Sequence, residues 1–425
     1  MNVLIIGSGA REHTIAWKLR QSPRLGDLFT APGNSGTADL GANLALDMND
    51  HDAIGRACRE QRIDLVIVGS EEPLAAGLVD RLAVEGIAAF GPTRAAAEIE
   101  SSKVFAKELM ARHGIPTAPF AVFDDANKAR AHVEELDAPL VVKADGLALG
   151  KGVIVTHSRE GALDAVDAIM VQRRFGSAGE RVVIERRLFG RETSAHAFAD
   201  GQTVAHMPFS CDHKPVFDGD RGPNTGGMGA YSPARWLDDA TATIIRNAVT
   251  ETAVRAMLDE GRPYRGVLYP GIMVTGDGPQ VIEFNCRFGD PEAQVLLPRL
   301  ESDLLDVLWA VASNRLSDIE VRWSDEACVG VVLASGGYPG AYETGFPIEG
   351  LDDLDGDVLV FHAGTRRSDD GAFATAGGRV LTIVARGATL ADASEKAYRN
   401  VERIRFEGMH YRRDVGATAA ALRGG

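Results

Sequence analysis

Residues 280–292 read QVIEFNCRFGDPE. Val281, Ile282 and Phe284 supply the apolar, β-prone character of a buried strand, while Glu283, Asn285 and Arg287 set an acid, an amide and a base into it. Side chains along a strand alternate with period two, so these three share one face and converge on one site. A carboxylate beside an amide oxygen is a hard-oxygen pair that suits Mg²⁺ better than Zn²⁺. Arg287 adds a planar fork able to grip a carboxylate or phosphate in bidentate fashion. An ordinary surface strand is the weaker reading, because the apolar positions require a covered opposite face. Gly289-Asp290-Pro291 ends the strand next to the acids Asp290 and Glu292. Cys286 has the opposite parity and reads as packing. The segment Gly266 to Val274 is the strand expected to pair with this one.

The chain around this stretch has 425 residues, too many for one core, and should divide into about three domains. At 45% hydrophobic and 25% charged it has the composition of a soluble globular protein. A formal net charge of -15 argues against a nucleic-acid or anionic-membrane surface and leaves room for local basic pockets that take small phosphates. The four cysteines, Cys58, Cys211, Cys286 and Cys328, stand singly, as suits a reducing cytosol. The first residues, MNVLIIGSG, enter a strand directly, and no long apolar span occurs, so a cytoplasmic protein is expected.

Val3 to Ile6 leads into the turn Gly7-Ser8-Gly9-Ala10 and a helical stretch from His13 to Leu19, the pattern of a β-loop-α phosphate cradle with Arg11 as its cation. It is not a dinucleotide fingerprint. The third glycine of GxGxxG would fall at Glu12, and the strand Leu28 to Thr30 runs into Ala31-Pro32-Gly33-Asn34 without an acid for a ribose. Further strands at Asp64 to Val68 and Ile87 to Phe90 alternate with helices, which predicts a doubly wound parallel sheet. Its turns GSGAR, APGNSG and GSEEPL should meet at one rim, beyond the carboxyl ends of the strands.

A helix is expected over Ser101 to His113, capped by Ser101 or Ser102. Its Lys103 and Lys107 lie on one face, and such a pair is ordinarily solvated. Leu140 to Lys143, the loop ADGLALGKG and Val153 to Thr156 form a strand, glycine loop and strand whose amides can fold over phosphates, with Lys143 and Lys151 for charge. Strands carrying Glu185 and Glu192 follow. Asp212-His213-Lys214 lies in a loop-rich stretch, and GPNTGGMGAYSP, from Gly222 to Pro233, reads as a ligand-approach loop. Ala240 to Leu258 is helical. After Trp323, short strands at Val329 to Leu333, Val358 to Phe361 and Val380 to Val384, with a helix from Leu390 to Ile404, mark a smaller C-terminal α+β domain.

With these motifs in place, the chain resembles the phosphoribosylamine-glycine ligase (glycinamide ribonucleotide synthetase) family of ATP-grasp enzymes over almost its whole length. The resemblance rests on IGSGAREHTIAWKL, APGNSGTA, SSKVFAKELMARHGIPTA, VVKADGLALGKGVIV, DHK, GPNTGGMGAYSPA, VIEFNCRFGDPE and ASGGYPG in that order. It implies an N-terminal substrate-phosphate domain over 1–100, an ATP-grasp region over 101–325 with a flap at about 120–190, and a C-terminal domain over 326–425. It also implies that glycine and 5-phosphoribosylamine are joined through a glycyl phosphate, with ATP converted to ADP and phosphate, by a monomer or small homo-oligomer that uses Mg²⁺ or Mn²⁺. Lys103 and Lys143 would hold the ATP phosphates under the loop containing Gly146, Gly150, Lys151 and Gly152, with Glu185, Leu188 and Glu192 also on the nucleotide. Glu283 and Asn285 would bind the metal. The substrate pocket would draw on Gly9, Arg11, Asp212, Lys214, Asn224, Thr225, Gly226 and Gly227, together with Arg287, Asp290 and Glu292. Arg287 and Lys143 are the residues expected to act in catalysis.

The sequence departs from the family pattern at Glu185-Arg186-Arg187-Leu188, where Glu-Glu-Phe-Leu is usual, and at Ala10 and Leu149. Two other readings stand beside the ligase: an ATP-grasp ligase or carboxylase acting on another carboxylate, and a protein that binds ATP without turning it over. A pure binder has no need of the Glu283, Asn285 and Arg287 face.

Overall fold

The computed structural model describes residues 1–136, 138–147, 152–368 and 371–417. Its first sheet is built from β1 (Val3–Gly7), β2 (Leu28–Pro32), β3 (Ala42–Asn43), β4 (Leu65–Val68) and β5 (Ala88–Phe90). All neighbours are parallel, in the order β3-β2-β1-β4-β5. Val3, Leu4, Ile5 and Ile6 are all fully buried, because a parallel strand is covered on both faces and so reads as an unbroken apolar run. The order reverses between β1 and β4, which opens a crevice at their carboxyl ends. The three turns expected at one rim do meet there. Asn34 Nδ2 donates to the carbonyls of Ser8 (2.9 Å) and Gly9 (3.2 Å), and Arg11 reaches Ser70 Oγ at 3.4 Å.

The next sheet is antiparallel and has a core of its own, with Val133, Val142 and Ile169 at its centre. It comprises β6 (Phe120–Phe123), β7 (Leu140–Ala144), β8 (Val153–Val155) and β9 (Val182–Arg186) in the order β6-β9-β7-β8. A third sheet, also antiparallel, is organised on the long strand Arg265–Thr275, which pairs with Arg191–Ser194, Ala197–Asp200 and Gly278–Asn285. The helix Lys103–His113, capped by Ser102 accepting from the Phe105 amide, lies between these sheets.

The last sheet runs Cys211–Asp212, Gly229–Ser232, Ala327–Ala334, Arg379–Gly387 and Leu359–His362 in spatial order. Two of its strands precede residue 235, so the C-terminal strands complete a sheet that the middle of the chain begins. This corrects the reading of Gly222 to Pro233 as one loop. Arg221–Asn224 forms a hairpin with Pro215–Phe217, and Gly229–Ser232 is a buried strand, leaving only 225–228 between them. The glycines concealed it, because Gly229 (φ +155°) is there to let Val415 and the Gly330 carbonyl approach. The helix of 240–258 contains a π-turn over Ile245–Glu251, and the last helix stops at Val401.

The helix Ala10–Leu19 joins the first and last sheets. His13 Nδ1 accepts the His362 amide at 2.8 Å, and its ring meets Phe361 edge-on. Burial pushes His13 down to about 3, with His362 adding to the effect, and burial pushes His362 down to about 4. Both are neutral in the folded chain, whereas an unfolded histidine titrates near 6.5. Unfolding therefore takes up protons below pH 6.5, and stability is lost as pH falls from there toward 4. Between pH 7 and 5 each histidine should cost about 2 kcal/mol. Urea titrations at the two pH values should show His13→Gln, which keeps an acceptor, losing roughly 2 kcal/mol less than the parent. Equal losses would contradict this account.

Candidate active site

The strand Gly278–Asn285 carries a bulge. Gly271 pairs with Glu283 but Ile272 with Val281, so Ile282 has no partner residue across the ladder. Its carbonyl is left free to turn aside and accepts Lys143 Nζ at 2.9 Å. Beyond the bulge, Glu283 and Asn285 keep their period-two spacing and both face a cavity of about 340 Å³. The strand ends at Asn285 rather than at Gly289, and Arg287 reaches the same cavity from the bend that follows. Cys286 packs into the core as its parity predicted.

Opposite Glu283 stand the lysines. Burial pushes the Glu283 carboxyl up, but Lys214, Lys143, Lys103 and Arg287 outweigh it and hold it below the ordinary carboxylate range. Lys103 Nζ donates to the Gly146 carbonyl at 2.9 Å, which ties the root of the glycine loop to the helix. Lys107 does not lie on a solvated face. It is 2% exposed, and with Lys143 (2.5 Å) it clasps Glu185, itself buried. Lys107 also donates to Thr117 Oγ1 at 2.6 Å. Burial lowers Lys107 to about 8, with Glu185 opposing and Lys143 adding. An amphipathic-helix reading missed this, because Glu185 and Thr117, the partners that cover Lys107, lie outside the helix.

The opposite wall is the rim of the first sheet. Arg287 is engaged there by the protein itself: Glu71 Oε2 lies 3.1 Å from Nε and Glu100 Oε1 3.4 Å from Nη2. Nη1 donates to the Phe288 carbonyl at 3.3 Å. Those are three partners for a guanidinium with five N–H groups, so donors remain for a ligand. Arg11 is held by Glu12 (2.6 Å), and Asp290 by Gln294 (2.7 Å) and Arg379 (3.2 Å). Tyr269 donates to Glu292 at 2.5 Å. Burial raises Asp212, with Lys214 opposing and Glu292 adding.

The cavity thus gathers Arg11, Lys103, Lys143, Gly152, Asp212, Lys214, Thr225, Gly226, Glu283, Asn285, Arg287, Asp290 and Glu292 from the residues singled out in the sequence. Gly146 and Glu185 stand one contact behind it. Glu192 lies outside the lining and pairs with Lys214 at 3.0 Å, and Leu188, Asn224, Gly9 and Gly227 are outside it too. Gly150 and Lys151 fall outside the described residues. The glycines of the first turn serve a different purpose from the one expected. A Cβ at Gly7, Gly9 or Gly69 would meet the Glu12 side chain within 2.9 Å, and Glu12 Oε2 accepts the Gly9 amide at 2.7 Å. Sequence reading missed Lys107, Glu71, Glu100, Tyr269 and Arg379 on the cavity wall. Glu71 had a signal in its rim turn and Lys107 in its spacing from Lys103; Arg379 had none.

Antiparallel sheets that bring buried lysines and an acid-amide pair to one cavity, against a parallel N-terminal sheet, define an ATP-grasp enzyme. Family models for the N domain, the ATP-grasp (A) domain and the C domain of phosphoribosylglycinamide synthetase match residues 1–100, 101–293 and 328–418, and the chain belongs to that family. It is 48% identical to the phosphoribosylamine–glycine ligase of Halalkalibacterium halodurans, across 100% of this chain and 98% of that one. It is 51% identical to the trifunctional purine biosynthetic protein adenosine-3 of Gallus gallus, covering 99% of this chain and 42% of that longer protein. The crystal structure of the phosphoribosylamine–glycine ligase of Thermotoga maritima superposes with a TM-score of 0.86 at 34% identity, covering 98% of this chain and 100% of that one.

Because Lys107 and Lys143 share Glu185, removing one leaves the other alone with the carboxylate. Lys107→Met should therefore draw Lys143 toward Glu185 and raise KM for ATP about tenfold, the scale of one charged hydrogen bond. Lys107→Arg should recover part of the loss in an ADP-release assay. An unchanged KM for ATP in Lys107→Met would show that Glu185 needs only one partner.

Proposed function

We propose that this chain joins glycine to 5-phosphoribosylamine through a glycyl phosphate, giving glycinamide ribonucleotide, ADP and phosphate. The observation that carries the reading is a single cavity that places the ionised Glu283 and Asn285 beside Lys103 and Lys143, with Arg287 and Asp290 on the facing wall. Family membership, and the name of a relative 48% identical over the full chain, support the same reaction.

The acid-amide pair fits Mg²⁺, or Mn²⁺ with the same ligands. Among the described residues no group of three or more His, Cys, Asp or Glu side chains is arranged to hold a metal by itself. Two protein oxygens with phosphate and water oxygens completing the shell is the usual provision for Mg²⁺. Such an ion supplies neutralisation at the phosphate oxygens during transfer. The lysines carry the rest. Lys103 and Lys143 face the γ-phosphoryl oxygens, and the remaining donors of Arg287 orient the glycine carboxylate in line with it. A carboxylate oxygen is a poor leaving group until it is phosphorylated, and the acyl phosphate hydrolyses in water, so both substrates must be held before transfer. Asp290, Arg11 and the turn at Thr225 to Gly227 provide the adjoining wall for the phosphoribosylamine. No helix among the described residues is long and apolar enough to cross a membrane. With the single cysteines, this supports a cytoplasmic site of action.

Glycine labelled with ¹⁸O in both carboxylate oxygens should yield inorganic phosphate with one label and a product that keeps the other. Unlabelled phosphate, or AMP as the nucleotide product, rules out the acyl phosphate. Glu283→Gln should lower turnover by about two to three orders of magnitude, as expected for loss of a preorganised electrostatic group. Its melting temperature should stay at that of the parent. A near-normal rate at low Mg²⁺ would refute the assignment of Glu283.

A further inference from the structure

Arg379 opens the strand Arg379–Gly387 in the last sheet, far in sequence from every other residue on the cavity wall. Its backbone is fixed on both sides: Arg379 is registered against Ala334, and its carbonyl accepts the Gly364 amide at 2.9 Å. From that rigid base the guanidinium reaches across. Nη1 donates to the Gly226 carbonyl at 2.8 Å and to the Asp290 carbonyl at 2.9 Å, while Nη2 pairs with the Asp290 carboxylate at 3.2 Å.

These two partners belong to segments that already press together. A Cβ at Gly227 (φ +110°) would lie 2.3 Å from Pro291 Cδ, so the turn packs directly on the residue after Asp290. The turn's other ties are to Lys214, whose carbonyl accepts Thr225 N and Oγ1, and to Tyr338, whose hydroxyl accepts the Gly226 amide. Arg379 is the group that bonds to both segments at once. Two carbonyls and a carboxylate together need a planar fork, which a point charge cannot replace. The nucleotide wall is independent of it: Lys103, Lys107 and Lys143 bond to Gly146, Thr117, Glu185 and Ile282.

We propose that Arg379 is a positioning residue through which the C-terminal sheet fixes the Thr225 to Gly227 turn against Asp290, setting the glycine and phosphoribosylamine side of the cavity without acting on the ATP side. The proposal rests on the ligase reading above. Arg379→Gln and Arg379→Lys are compared with the parent for kcat, for KM of each of the three substrates, and for melting temperature. In Arg379→Gln, KM for glycine and for phosphoribosylamine should rise about ten- to a hundredfold, the scale of a charged hydrogen-bond set. KM for ATP and the melting temperature should hold. Arg379→Lys should fall between, because it keeps the charge beside Asp290 but loses one or both carbonyl bonds. Hydrogen exchange at the Gly226 and Gly227 amides, read without any substrate, should be faster in Arg379→Gln and partly restored in Arg379→Lys. Unchanged exchange overturns the proposal, as does a rise shared equally by all three KM values with a lowered melting temperature. If the parent fails to release ADP with glycine and phosphoribosylamine, the ligase reading falls, and the exchange rates still decide whether Arg379 fixes the turn.

Discussion

Seven cationic side chains face one cavity, and such a concentration of charge stays folded only where the cations meet carboxylates or other hydrogen-bond acceptors. The cations Arg11, Lys103, Lys107, Lys143, Lys214, Arg287 and Arg379 stand on the wall with six carboxylates, Glu71, Glu100, Asp212, Glu283, Asp290 and Glu292. By residue type, seven bases against six acids leave the wall close to neutral, and burial raises two of the acids, Asp212 and Glu100. The pairing partners come from distant segments, so the charges also dictate which segments meet. Glu71 and Glu100 bring the first sheet to Arg287, Glu185 brings the sheet it shares with Lys143 to Lys107 on the helix Lys103–His113, and Asp290 brings the C-terminal sheet through Arg379. A nearly neutral wall cannot by itself balance a polyanionic nucleotide. On the proposed reading further positive charge has to enter with the phosphates, a role to which an acid-amide pair placed among lysines is suited.

The bulge at Ile282 makes that placement compatible with a sheet. In an unbroken ladder the Ile282 carbonyl would be committed to a neighbouring strand, and Lys143 would lack its 2.9 Å acceptor. With one extra residue, the strand keeps its pairing with Arg265–Thr275 on both sides of the bulge and turns a carbonyl toward the flap sheet. Lys143 is then held between Ile282 on one sheet and Glu185 on another. The relative position of the two sheets and that of the Lys143 ammonium are consequently one constraint.

How much of this was legible follows from the range of the forces involved. The parallel sheet was readable because continuous apolar runs such as Val3 to Ile6 encode burial on both faces locally. Glu283 and Asn285 were readable because period-two spacing survives a bulge that lies before them. The strand Gly229–Ser232 was hidden by glycines whose purpose is close packing against Val415 and Gly330. Lys107 was hidden because helix periodicity cannot say whether a polar face meets water or a buried acid. Arg379 was beyond reach, since nothing local distinguishes an arginine at the start of a strand from the same residue bridging two loops remote in sequence.

Glu12 shows why a glycine-rich first turn and a nucleotide-binding fold can occur together without a dinucleotide site. In such a site the glycines clear room for a pyrophosphate, which then sits on free amides at the helix start. Here the space beside Gly7, Gly9 and Gly69 is filled by the Glu12 side chain, and the Gly9 amide is already bonded to its carboxylate. A pyrophosphate would have to displace a buried acid and then face it at close range. The same acid orients Arg11, whose Nε it accepts at 2.6 Å, toward the Phe288 carbonyl and the cavity. An anion near this rim therefore meets a side-chain guanidinium beside Asp290, and the turn acts as the base on which Arg11 is held.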